Sequence, residues 1–216
     1  MKIAVLGTGA VGKAIATKLI QVGHEVKMGS RSSNNEKAVE WVSSSGAKAS
    51  QGTFSEASAF GEIIFNCTKG DATLEVLKLT GENNLNGKIL IDISNPLDFS
   101  RGMPPTLFIC NDNSLGETIQ KIYPNVKVVK TLNTMNCGLM VNPSLVQGDH
   151  TVFLSGNDVN AKAEVKKMLA SFGWTEKNMM DVGDITTARG TEQLLPIWIR
   201  LWGTIGNSNF NFHIAR

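Results

Sequence analysis

The chain has 216 residues, 42% of them hydrophobic and 19% charged, a balance that suits one globular domain with a sizeable core and excludes a disordered chain. A formal net charge of +2 without a Lys/Arg run offers nothing to track a phosphate backbone, so nucleic acid is not expected as a partner. Cys67, Cys110 and Cys137, like His24, His150 and His213, are scattered, and no apolar run approaches the roughly 20 residues of a membrane-spanning helix. No metal, no membrane partner and a cytoplasmic location are therefore expected.

In chain order, residues 2–6 read as a strand, because the apolar start is too short for a signal peptide and runs directly into a glycine loop. A helix is expected over 11–22, a strand over 25–28, a helix over 36–44, and a short strand near Ala47. Strand 63–66, helix 71–79 and strand 89–93 follow, and then helix 114–123, strand 126–131 and strand 151–154. Helices over 159–172 and 186–205 complete the pattern. This alternation predicts an α/β fold: a Rossmann-type, doubly wound, mostly parallel sheet with a short C-terminal helical appendage. Residues 95–105, with Pro96, Pro104 and Pro105, read as a loop. In the tail, Phe210, Phe212 and Ile214 alternate, which fits a last strand or a clasp on a partner subunit.

The glycine loop Gly7-Thr8-Gly9-Ala10-Val11-Gly12 matches G-x-G-x-x-G between a strand and a helix. Gly7 suits the tight turn, Gly9 lets backbone approach a pyrophosphate, and Gly12 lets helix pack on strand. An NAD site usually places Asp or Glu at the end of the second strand to receive the ribose 2′-hydroxyl. This chain has Gly29-Ser30-Arg31-Ser32 there. A guanidinium pairs with a 2′-phosphate that a carboxylate would repel, so NADP(H) is the expected cofactor. Ser30, Ser32 and Lys37, with Asn34 and Asn35 as neighbours, are candidate contacts to the same phosphate.

Ligands of open α/β sheets collect at the carboxyl ends of strands. Three such segments are polar: Asn66 to Gly70, where Cys67 and Thr68 would edge the ribose; Asp92 to Leu97, with Asn95; and Lys130 to Gly138, with Asn133, Met135 and Asn136. For the asparagines, turn capping and ligand contact are equally open.

The Gly7–Gly12 loop, the Gly29-Ser30-Arg31 turn, Asn95-Pro96, Asn133-Thr134-Met135, Ser155-Gly156-Asn157 and the segment 181–198 occur in the order of one family. Over nearly its whole length the chain resembles the NADP-dependent oxidoreductases of the deazaflavin coenzyme F420, to which the cytosolic domains of six-transmembrane metalloreductases are related. The resemblance implies an oxidoreductase passing hydride between NADPH and a small-molecule electron acceptor, with coenzyme F420, FMN or FAD as second substrate, and a homodimer. It further implies that Asn133 and Met135 position the nicotinamide and that residues 184–192 border the acceptor. On this reading, residues 1–183 form the NADP-binding domain, while 184–216 supply the acceptor border and dimer contact within the same unit. Asn133 stands where deazaflavin reductases often carry His, and Asn136 where they often carry Pro.

No catalytic acid is expected, because hydride transfer to a flavin-like ring needs stacking and geometry where carbonyl reduction needs a proton donor. Tyr123 and Lys127 have the Y-x-x-x-K spacing, but Pro124 breaks the helical turn that would align them. Lys69 and Lys130 stay open as donors at strand ends, with solvation the expected fate of each. In the last helix, Leu194, Leu195, Trp198, Leu201, Trp202 and Ile205 form an apolar face, with Pro196 as a kink. Trp198 and Trp202 fit core or dimer packing better than a ligand platform. Arg189 and Glu192 would touch the acceptor or pair with each other. Two alternatives stay open: an NADP(H)-binding redox sensor without turnover, and a small carbonyl or imine reductase.

Overall fold

The computed structural model describes residues 1–215, so only Arg216 of the predicted tail lies outside the described residues. Eight strands form one sheet: β1 (Lys2–Leu6), β2 (Glu25–Ser30), β3 (Ala49–Thr53), β4 (Ile63–Asn66), β5 (Ile89–Asp92), β8 (Lys127–Thr131), β9 (Val152–Ser155) and β10 (Met179–Gly183). Their order is β10-β9-β8-β5-β4-β1-β2-β3. All neighbours are parallel except β8 and β9. A two-stranded hairpin, β6 (Leu97–Asp98) with β7 (Thr106–Leu107), rises from the loop after β5. The helices are α1 (Ala10–Gln21), α2 (Glu36–Ser45), α3 (Phe54–Phe60), α4 (Gly70–Thr80), α5 (Leu115–Ile122), α6 (Cys137–Val141), α7 (Val159–Phe172), α8 (Ala188–Gln193) and α9 (Leu195–Ile205). The expected Rossmann architecture is present.

Strand periodicity divides the core between the two faces of the sheet. In β1, Ile3 and Val5 pack with Ile15, Leu19, Trp41 and Phe65, while Ala4 and Leu6 pack with Phe54, Ile64 and Leu77 on the other side. The crossover reverses between β1 and β4: the chain winds outward through β2 and β3, then returns to place β4 on the other flank of β1. That reversal opens a crevice above the carboxyl ends of β1 and β4, where α/β sheets bind ligands.

The structure departs from the expected elements in a few places. The strand expected near Ala47 lies at Ala49–Thr53, and α3 follows it at once, started by a capping box between Thr53 and Glu56. The T-x-x-E pattern was its available signal. Strand β10 was missed because Met179–Gly183 is a short edge segment with little alternation. The expected 186–205 helix is divided: α8 ends at Gln193, and α9 begins at Leu195 with Pro196 in its first turn. Tail residues 207–215 form no strand; they fold back on their own chain, where the Thr151 amide donates to the Phe212 carbonyl at 2.8 Å.

Candidate functional site

The Gly7–Gly12 loop joins β1 to α1 as the motif requires. Gly7 sits at φ +112°, a conformation open to glycine, and a Cβ on Gly12 would lie 2.0 Å from the Gly7 carbonyl oxygen. A Cβ on Gly9 would meet no atom within 4 Å. The fold's own geometry thus requires Gly7 and Gly12, whereas Gly9 is exposed and leaves open space beside the loop. The α1 N-terminus has no side-chain cap and no acidic residue in its first turn, so the amides around Ala10 and Val11 are presented to an anion. These features fit a pyrophosphate.

A groove of ≈ 590 Å³ runs from this loop past Thr8, Cys67 and Thr68 to Arg31. Arg31 follows β2, and its guanidinium faces Glu75 of α4 at 3.6 Å, both side chains being largely exposed. Ser32 and Lys37 are exposed, whereas Ser30 is buried and donates its hydroxyl to the Ser32 carbonyl at 2.5 Å. Of the two serine hydroxyls, only that of Ser32 is on an exposed residue, and it accepts from the Asn34 amide at 3.3 Å. Burial, reinforced by the Asp92 carboxylate, pushes the Cys67 thiol well above its ordinary range, so it supplies no thiolate at neutral pH.

On the other side of β1 from the Arg31 turn, the carboxyl ends of β4, β5 and β8 lie in succession. Asn95 and Asn133 meet there. The Asn95 amide donates to the Asn133 carbonyl at 2.8 Å, and the Asn133 amide donates to Asn95 Oδ1 at 2.9 Å. Leu132, between Lys130 and this pair, takes φ +62°, a left-handed conformation that costs a side-chain-bearing residue about 1 kcal/mol. Met135 is buried among core residues behind the same turn. Asn136 is occupied as the cap of α6, accepting from the Gly138 and Leu139 amides at 2.8 and 3.1 Å, and its own amide donates to the Ser208 carbonyl of the tail.

Lys130 overturns the expectation of a solvated lysine. Its side chain is fully buried, with Nζ 2.7 Å from Asp92 Oδ2, 2.7 Å from Glu192 Oε1 and 2.5 Å from the Ser94 carbonyl. Burial by itself would lower its pKa, but the Asp92 and Glu192 carboxylates more than offset that and hold it above the ordinary lysine value. Asp92 Oδ1 also accepts from Asn66 Nδ2 at 2.7 Å and the Ser94 hydroxyl at 2.7 Å. Glu192 accepts from the Leu115 and Gly116 amides at the start of α5, at 2.8 and 3.0 Å. Arg189 and Glu192 do not pair with each other: Arg189 binds Glu117 through two hydrogen bonds. Sequence reasoning missed this centre because Asp92, Lys130 and Glu192 share no motif and meet only through strand order.

Tyr123 ends α5 at φ −118° and Lys127 opens β8, so no helical turn aligns them. They stand at the amino edge of the sheet, away from the crevice. Trp198 stacks on Phe210 of the tail at 5.2 Å and lies 6.1 Å from Trp202, so its ring is spent on packing. No cluster of three metal-ligating side chains and no helix long and apolar enough to cross a membrane occurs among the described residues.

Residues 2–96 match the family model described as NADP oxidoreductase, coenzyme F420-dependent. A crystal structure from Arthrobacter sp. FB24, provisionally assigned as an F420-dependent NADP reductase, is 52% identical, covers 100% of both chains and superposes with a TM-score of 0.95. The metalloreductase STEAP3 of Rattus norvegicus is 30% identical over 203 residues, covering 91% of this chain, which spans 38% of that longer protein. A reductive aminase from Aspergillus terreus, solved with NADPH and ethyl levulinate, is 18% identical, matches 95% of this chain and 62% of its own, and has a TM-score of 0.65. At that identity the likeness is one of fold.

Proposed function

The chain belongs to the family of coenzyme F420-dependent NADP oxidoreductases, and on that premise we propose that it passes hydride between NADPH and a flavin-like or deazaflavin acceptor. The observation that carries the cofactor half is the groove joining an uncapped helix N-terminus to a guanidinium. NADPH, when bound, supplies the hydride. Gly9 and the α1 amides hold its pyrophosphate, Arg31 with Ser32 and Lys37 takes the 2′-phosphate, and Cys67 with Thr68 edges the ribose. Asn95, Asn133 and Met135 fix the nicotinamide plane, while Asn136 supports that turn from behind.

Transfer by ring juxtaposition asks little of acid–base groups. A carbonyl or imine reductase would need a proton donor, and Lys130 is committed to two carboxylates and a carbonyl. Residues 1–183 would then be the NADP-binding body, with 184–216 bordering the acceptor and the dimer contact. Ile197, Trp202 and Ile205, all exposed on α9, support pairing through that helix.

NADPH oxidation by purified protein, measured anaerobically with coenzyme F420, FMN, FAD, a ferric chelate and simple carbonyls, tests the acceptor. Rates with the ring acceptors well above the carbonyls are expected. Turnover confined to carbonyls, or none at all with tight NADPH binding, would replace this reading with the reductase or the sensor.

A further inference from the structure

Lys130 stands at the root of two turns. Asp92, which grips its ammonium, ends β5 and is followed by Ser94 and Asn95; Lys130 itself is near the end of β8 and is followed by Leu132 and Asn133. The Ser94 carbonyl is its third acceptor, so all three ammonium protons are used. The reciprocal Asn95–Asn133 amide pair is built directly on these turns. Glu192 reaches the same ammonium from α8 while holding the first amides of α5. Three elements distant in sequence are joined through one buried cation.

Stability alone does not account for this. Burying charges costs several kcal/mol per ion, and apolar residues of similar volume commonly serve a fold as well or better. What a buried ion pair adds is a fixed geometry: its energy falls away when the partners separate, and a lone buried charge is costly.

We infer that Lys130 and Glu192 are a positioning pair, which holds the Asn95 and Asn133 turns at the spacing that seats the nicotinamide half of the cofactor and makes that seat depend on α8 being docked. The inference rests on the cofactor placement proposed above. Because coupling is reciprocal, filling the nicotinamide seat tightens the docking of α8.

Two ligands separate the halves: NADPH, and 2′,5′-ADP, which carries the 2′-phosphate without a nicotinamide. Glu192→Gln keeps the side-chain size and removes its charge. Its affinity for NADPH, measured by calorimetry, is expected to fall about tenfold, with 2′,5′-ADP binding unchanged. Equal losses for both ligands, or none for either, overturn the inference. Should the variant not fold, amide hydrogen exchange on the wild-type protein decides. NADPH, and not 2′,5′-ADP, is expected to slow exchange at Leu115, at Gly116 and along α8. Protection confined to residues 132–135 overturns it. A wild-type chain that binds neither ligand rejects the cofactor placement itself, whereas one that binds both with Glu192 indifferent rejects only the positioning pair.

Discussion

Gly9 and Gly12 have opposite reasons to be glycine. Gly9 already has extended backbone, φ −77° and ψ −174°, which alanine adopts freely, and its missing Cβ faces empty space. Gly9→Ala is expected to cost about 1 kcal/mol or less in thermal unfolding while weakening NADPH binding at least tenfold, because the added methyl would occupy the path proposed for the pyrophosphate. Gly12→Ala instead drives a Cβ to 2.0 Å from a backbone oxygen, where nothing flexible can yield. A loss near 3 kcal/mol in denaturant unfolding is expected, with or without cofactor. Arg31 is a third case. Its neighbour Glu75 is displaceable at 3.6 Å, so Arg31→Glu should fold normally yet lose most of its preference for NADPH over NADH in a calorimetric comparison. An unchanged preference would remove Arg31 from the 2′-phosphate site.

At the scale of elements, the C-terminal helices are fastened by two ionic contacts of different kinds. The Arg189–Glu117 pair is partly exposed, and the Glu192–Lys130 pair is buried. The Arg189 guanidinium, hydrogen-bonded to both Glu117 oxygens, holds that carboxyl below its ordinary 4.5. A carboxylate with a depressed folded-state pKa contributes stability that is complete above the unfolded value and is lost as pH falls through the folded one. Arg189→Ala should therefore lower the thermal midpoint at pH 7, and the gap to wild type should begin to narrow only as the pH falls below about 4.5. A gap that does not narrow at all as the pH falls below that value would mean that Arg189 acts by packing alone. The division of the predicted 186–205 helix at Leu194 follows from Pro196, which is tolerated in a first turn and not in a helix interior.

For the whole molecule, the unresolved contrast is between an apolar core split cleanly across the sheet and an apolar stripe left outside it. Trp202 and Ile205 are 45% and 47% exposed at the end of α9, while Trp198 beside them is covered by the folded-back tail. If two copies pair through that face, sedimentation should give a dimer, and Trp202→Glu should shift it toward monomer with NADPH affinity retained. A wild-type monomer at micromolar concentration would count against that pairing.

The glycine loop with its flanking strand and helix, the Arg31 turn and the alternation of β and α segments could all be read from local order, because turn geometry and burial period act over a few residues. The polarity of the strand-end segments was equally visible. Which of those polar groups face a ligand and which are consumed internally was not, since that depends on strand order: Lys130 looks like any lysine until β5 and β8 lie side by side and α8 closes over them. The same holds for Asn136, whose amide reaches the Ser208 carbonyl only after the tail returns. Short-range chemistry writes the cofactor motif, whereas pairing between buried charges is decided by contacts far apart along the chain.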